Sequence, residues 1–128
     1  MRAVSSLFSD LDVRVETDAP IGQQTWYGIG GRADLLVHPQ TFESLATLMR
    51  RCARGGTPLR VLGSGANLLV ADEGVDGVVV KLDAPAFTEV QYNARGAVEA
   101  MRAGAGADLP RLLLDTTRRG LEGLSALA

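Results

Sequence analysis

A chain of 128 residues with 46% hydrophobic and 22% charged side chains has the composition of an ordinary globular domain, long enough to bury a core without disulfides or metal. Thirteen basic against fifteen acidic residues leave a net charge of -2, which argues against a partner held mainly through its phosphate backbone, nucleic acid above all. One cysteine, Cys52, and one histidine, His38, exclude an intramolecular disulfide framework and any multi-cysteine or histidine-rich metal site. No run approaches the roughly 18 apolar residues of a membrane span. The expectation is a cytoplasmic protein without a metal, a nucleic-acid partner or membrane insertion.

Residues 1–20 mix short apolar and acidic segments without a period. Asp10 and Asp12 interrupt any signal-like stretch, and the segment reads as a leader with at most one weak helix. From Ala33 the run Ala-Asp-Leu-Leu-Val-His predicts a strand closed by Pro39, which has no N–H to give a ladder. Thr41 is placed to cap a helix in which Phe42, Leu45, Ala46, Met49, Cys52 and Ala53 recur at three- and four-residue intervals. Arg50, Arg51 and Arg54 fall on a solvated side, and Gly55-Gly56 forms the stop. Leu59–Leu62 and Val78–Leu82 predict two further short strands. Strand, helix, strand, glycine loop, strand is an α/β beginning.

Past Asp83-Ala84-Pro85, Phe87–Tyr92 and Val98–Ala103 read as a hairpin turning at Asn93-Ala94-Arg95-Gly96. Asp108 then caps a helix with Pro110 in its first turn and with Leu109, Leu112, Leu113 and Thr116 on its buried side, ended by Gly120. The apolar run 121–128 carries no terminating signal and reads as a chain interrupted within a structure.

Fifteen glycines gather in groups, and Lys81 is the single lysine. The sharpest group is Leu62-Gly63-Ser64-Gly65-Ala66-Asn67-Leu68, directly after a strand. Glycines there let consecutive N–H groups meet an anion and let ligand oxygens approach the main chain, with a Ser hydroxyl and an Asn amide adding to the cradle. A tight turn between strands would explain the same glycines. The spacing fits no Rossmann fingerprint, because Leu68 stands where a third glycine would open a helix and the residues after it look strand-like. It fits no Walker loop either, for want of Gly-Lys-Ser/Thr.

Four blocks, in order, resemble the N-terminal part of the bacterial UDP-N-acetylenolpyruvoylglucosamine reductases. They are Thr25-Trp26-Tyr27-Gly28-Ile29-Gly30-Gly31-Arg32-Ala33-Asp34, the loop 62–70 with Asp72-Glu73-Gly74-Val75-Asp76-Gly77 after it, Ala103-Gly104-Ala105-Gly106, and Gly120-Leu121-Glu122-Gly123-Leu124. Ala66 replaces the commoner Ser of the family's loop, which removes one hydroxyl donor and leaves the backbone donors. The resemblance implies an FAD-binding fold of the vanillyl-alcohol-oxidase (PCMH) type, mixed α+β and α/β, incomplete in this chain. After the leader 1–20 it implies a first FAD-binding subdomain at 21–82 with a small βαβ lobe. A second begins at 83–128, and the substrate-binding domain is absent.

The same resemblance implies FAD as cofactor and NADPH as co-substrate. The reaction implied is reduction of UDP-N-acetylglucosamine enolpyruvate to UDP-N-acetylmuramate in peptidoglycan synthesis, with a UDP-sugar bound by the full-length enzyme. Leu62, Gly63, Ser64, Gly65, Ala66, Asn67 and Leu68 would hold the pyrophosphate, and Gly104, Ala105 and Gly106 would admit the cofactor closely. The family's catalytic residues match positions beyond Ala128, so no catalytic residue is assigned and the chain alone is expected to be inactive. Two other readings stay open: part of another FAD-dependent oxidase of this fold, some of which attach flavin through His or Cys, and a non-catalytic nucleotide- or flavin-binding remnant. Of the remaining conspicuous residues, His38 reads as a surface residue, Cys52 as core, Arg118 and Arg119 as a solvated helix end, and Asp72, Glu73 and Asp76 as a turn. Trp26 and Tyr27 read equally well as lining the cofactor site or as packing.

Overall fold

The computed structural model describes residues 6–93 and 100–127. Its centre is a four-stranded sheet built from β1 (Val13–Ala19), β2 (Ala33–Pro39), β3 (Leu59–Leu62) and β4 (Val75–Lys81), in the order β1-β2-β4-β3. β2, β4 and β3 run parallel, and β1 is antiparallel on the β2 edge, pairing Val13 with Pro39 through Ala19 with Ala33. The two inner strands are the ones without a polar side. Leu35, Leu36 and Val37 in β2 and Val78, Val79 and Val80 in β4 are all buried, as strands covered on both faces require.

The two faces are covered by different means. One carries Leu35, Val37, Val78 and Val80 against Leu48 and Cys52 of helix α1 (Phe42–Gly55), with Leu7, Phe8 and Leu11 of the N-terminal segment packed at the margin. The other carries Leu36, Leu62, Val79, Ala33 and Ala19 beneath Ile21, which opens a single 3-10 turn (Ile21–Gln24), and Val70, which lies in a connecting segment. The glycine-rich loop therefore lies on a sheet face covered by connecting segments and one 3-10 turn, with no α-helix of the described residues in its core cluster.

Helix α1 begins and ends where its chemistry dictates. Thr41 Oγ1 accepts from the N–H of Ser44 at 3.1 Å, and Gly56 adopts φ +64 at the C-terminus, where the N–H of Thr57 donates to Cys52 O at 2.9 Å. The buried face differs from the expected one. Ser44, Leu48 and Cys52 are buried, while Phe42 and Met49 are exposed. Leu48 was missing from the predicted stripe, because a count begun at Phe42 turns the helix away from the sheet; Phe42 instead sets its ring edge-on to Phe87, 4.8 Å between centroids.

After β4 come a single helical turn α2 (Pro85–Thr88), the two-stranded antiparallel pair β5 (Val90–Tyr92) and β6 (Met101–Ala103), and helix α3 (Leu109–Arg118). The antiparallel pairing follows the expectation. Phe87 and Thr88 are corrected from strand to helical turn, because Pro85 starts a turn and Phe87 is buried. Residues 94–96 of the predicted hairpin turn lie outside the described residues. In α3, Asp108 Oδ1 accepts from the N–H of Arg111 at 3.0 Å, and Leu112 and Thr116 are buried.

The weak helix expected within residues 1–20 is corrected from residue 13 onward: Val-Arg-Val-Glu-Thr-Asp-Ala is a strand whose place comes from pairing with β2. Residues 68–70, which looked strand-like, have no regular structure, because Leu68 and Leu69 face solvent and only Val70 turns into the core.

Candidate functional site

The glycine loop leaves the sheet at Leu62, the last residue of β3, whose Cα partner across the ladder is Lys81 at the end of β4. It therefore starts outside the carboxyl ends of parallel strands, where open α/β sheets place their ligands. The loop is held from beneath by the first glycine-rich segment. Trp26 N–H donates to Gly65 O at 3.0 Å, and Gly31 N–H to Ala71 O at 3.0 Å. Gly65 has φ +76, and a Cβ there would stand 2.8 Å from both Gln24 O and Thr25 Cα; a Cβ on Gly30 would strike the Val70 carbonyl. These glycines are needed by the chain itself, since two main-chain segments press on each other without side chains between them.

Gly63 is different. Its φ is not positive and a Cβ would meet nothing within 4 Å, so the protein's own packing leaves open space above it. Among the described residues, the N–H groups of Gly63, Ser64, Gly65, Ala66 and Asn67 donate to no protein acceptor, and the side chains of Ser64 and Asn67 are exposed and make no hydrogen bond. Gly65 is nevertheless buried. An unmatched donor in such a place costs about 1–3 kcal/mol unless something from outside accepts from it. Five successive free donors, a hydroxyl and an amide beside open space fit a diphosphate.

The second predicted group sits on the other side of the same strand end. A Cβ on Gly106 would collide with the Leu82 carbonyl and one on Gly104 with that of Phe87, while Gly104 N–H donates to Glu89 O at 2.8 Å and Gly106 N–H to Phe87 O at 2.9 Å. Self-packing is thus enough to require glycine at 104 and 106. Gly104 and Ala105 also line a cleft of about 410 Å3 with Phe42, Leu45, Leu82 and Phe87. The structure brings residues 62–67 and 104–106 to the two flanks of Lys81-Leu82.

In the sequence Lys81 stands out only as the single lysine. Its Nζ donates to Gln24 Oε1 at 3.1 Å, and Gln24 is the residue whose main-chain oxygen abuts Gly65. The signal was available in the sequence, since a lone lysine ends a run of valines.

Other expectations are revised. Trp26 and Tyr27 are 74% and 63% exposed, so packing is not their role. His38 is not a surface residue: it is 3% exposed, with Nδ1 2.9 Å from both carboxylate oxygens of Asp83 and 3.0 Å from Arg14 Nη2, and Nε2 3.1 Å from Glu16 Oε1. Cys52 is 1% exposed in the core, where burial pushes its thiol pKa up. With both side chains buried, neither offers a ready point for covalent flavin attachment.

Of the three arginines assigned to a solvated side, Arg51 instead grips Asp10 through two bonds of 2.6 and 2.8 Å. That pair holds the carboxyl down at about 2 and raises the guanidinium. Arg119 stacks its guanidinium 3.8 Å from the Tyr92 ring centroid. Asp72 and Glu73 are exposed in the turn closed by Gly74 N–H to Ala71 O, and Asp76 is exposed within β4. No group of three or more potential metal ligands occurs among the described residues. No helix among them is long and apolar enough to cross a membrane.

A UDP-N-acetylenolpyruvoylglucosamine reductase of Rhodopirellula baltica is 37% identical over 113 residues, 88% of this chain and 36% of that protein. One of Heliobacterium modesticaldum is 42% identical over 105 residues, 82% of this chain and 32% of that protein, and one of Desulfosudis oleivorans is 34% identical over 122 residues, 95% and 38%. The chain thus spans about a third of the length of these relatives. Among solved structures, a solvent-stable cholesterol oxidase matches 84% of this chain and 20% of its own with a TM-score of 0.59 at 20% identity, which shows a shared fold. The family described as FAD binding domain matches residues 33–123, which contain both the free-donor loop and the 104–106 glycines, and the chain belongs to that family, with FAD as its cofactor.

Proposed function

We propose that this chain is the N-terminal FAD-holding part of a cytoplasmic, NADPH-dependent flavoenzyme that reduces UDP-N-acetylglucosamine enolpyruvate to UDP-N-acetylmuramate in peptidoglycan synthesis. The names of its relatives support the reaction, and the observation that carries the cofactor site is the run of five unmatched N–H donors at residues 63–67 beside open space.

In this reading the N–H groups of 63–67, the Ser64 hydroxyl and the Asn67 amide hold the diphosphate, with Leu62 and Leu68 bounding the loop. Gly104, Ala105 and Gly106 border the cofactor across the end of β4, and the exposed rings of Trp26 and Tyr27 cover its rim. FAD held there would supply the two-electron chemistry that links NADPH to the enolpyruvyl group. The residues of this chain orient the cofactor and exclude water from one side of it; none is assigned a role in proton transfer. Residues 21–82 form the first FAD-binding subdomain, to which β1 contributes an edge strand, and 83–128 begin the second. A UDP-sugar is the substrate of the whole enzyme.

Equilibrium dialysis of the chain against FAD, followed in the flavin absorbance bands, tests the reading. Binding of one FAD per chain, lost in Gly63→Val while the thermal melt is retained, is expected. No retained flavin in the folded chain overturns it.

A further inference from the structure

The cradle at 63–67 has a gap in its electrostatics. It offers neutral donors only, no helix begins in it, and the diphosphate it fits carries two negative charges near a buried stretch of main chain. An anion moved toward a low-dielectric surface loses hydration, and a positive charge beside it offsets that loss.

Lys81 is placed to meet that need. It pairs in register with Leu62, the residue from which the loop departs, and it shares the parity of Val79, whose side chain packs on the loop-covered face with Leu62 and Val70. The following residue, Leu82, is the one Gly106 rests on, so Lys81 stands between the two glycine groups. Its ammonium is half-buried, and its recorded partner is the neutral Gln24 amide at 3.1 Å; no carboxylate pairs with it among the described residues. By contrast, Arg14, Arg32 and Arg51 each pair with an acidic side chain. A half-buried cation held by a neutral amide favours an anion over its present partner, and the flexible four-carbon stem lets it exchange one for the other.

We infer that Lys81 supplies the positive charge for the diphosphate bound by residues 63–67, with Gln24 holding the ammonium in readiness when no anion is there. The inference rests on the FAD-holding reading above and adds to it the residue that neutralises the ligand.

Equilibrium dialysis of FAD and of ADP, as a diphosphate without a flavin, tests it in the unmodified chain, Lys81→Gln, Lys81→Arg and Gln24→Glu, at several salt concentrations and with thermal melts alongside. Lys81→Gln is expected to weaken both ligands about tenfold or more, the scale of one lost charge-assisted contact, and to flatten the salt dependence of binding. Lys81→Arg is expected to retain most of the affinity. Gln24→Glu, which gives the ammonium a permanent counter-ion, is expected to weaken both ligands without touching the loop. FAD and ADP binding to Lys81→Gln and Gln24→Glu with unchanged affinity and salt slope overturns the role of Lys81 and leaves the cradle intact. If the folded, unmodified chain retains neither ligand, the cradle reading itself is overturned, and Lys81 with it. Should Lys81→Gln fail to fold, Gln24→Glu alone decides by the same affinities.

Discussion

Two glycines two positions apart do opposite work, and single substitutions separate them. Gly65→Ala puts a Cβ 2.8 Å from Gln24 O and Thr25 Cα at φ +76, and is expected to cost about 1–3 kcal/mol in urea denaturation. Gly63→Ala is expected to stay within about 0.5 kcal/mol of the unmodified chain, since its Cβ enters open space. The sequence places both in one motif, and spacing alone does not tell the structural glycine from the one that leaves room for a ligand. That difference arises from Gln24 and Thr25, some forty residues away. Cys52 was legible, because apolar periodicity alone puts it inside. Its burial, which also raises the thiol pKa, predicts slow reaction with a disulfide reagent at neutral pH in the native chain and full reaction in denaturant. Rapid native labelling would contradict its burial. His38 was not legible, since its environment is made by Glu16 and Asp83, and only the pairing of β1 with β2 brings them to it.

Strands and helices with strong local signals came out where the sequence placed them: β2, β3, α1 with its Thr41 cap, and α3 with its Asp108 cap. The missed element, β1, has modest propensity and alternates only partly. Its position comes from the unpaired edge of β2, which is tertiary information. The N-terminal segment before it is tied down by Asp10 and Arg51, and this tie has a pH signature. A carboxyl held at about 2, below its ordinary value near 4, stabilises the fold fully above that ordinary value and loses the contribution as pH falls toward 2. Asp10→Asn is therefore expected to lower the melting temperature at pH 6 and to make a much smaller difference near pH 2, where about half of the native carboxyls are protonated. Thermal melts of the two chains across that interval check it, and a gap undiminished at pH 2 would refute it. The pair is exposed, so the gap is small and shrinks in salt.

Across the whole molecule, the cluster of Arg14, Glu16, His38 and Asp83 joins β1, β2 and the segment that leads from β4 toward the β5–β6 unit. Removing the imidazole leaves two carboxylates facing one guanidinium. His38→Leu is expected to cost about 1–2 kcal/mol, discounted because both carboxylates are partly exposed. Hydrogen exchange of the amides of residues 85–92 is expected to quicken more than that of β4. Equal quickening would mean that the cluster serves only the first sheet. The α/β beginning and the antiparallel pairing of β5 with β6 were read from the chain directly. The covering of one sheet face by loops was not, because irregular segments carry no period.

That loop-covered face determines when ordering entropy is spent. The loop is fixed from below at Gly65 by Gln24, Thr25 and Trp26, and just beyond it at Val70 and Ala71 by Gly30 and Gly31, through main-chain contacts that need no ligand. A ligand meeting a rim already in place loses only its own freedom on binding, and its capture is limited by encounter and dehydration instead of loop closure. The unmatched donors are the thermodynamic counterpart of that readiness. The empty chain forgoes stability that returns when the site is filled, so its melting temperature rises with ligand concentration in proportion to how completely those donors are met.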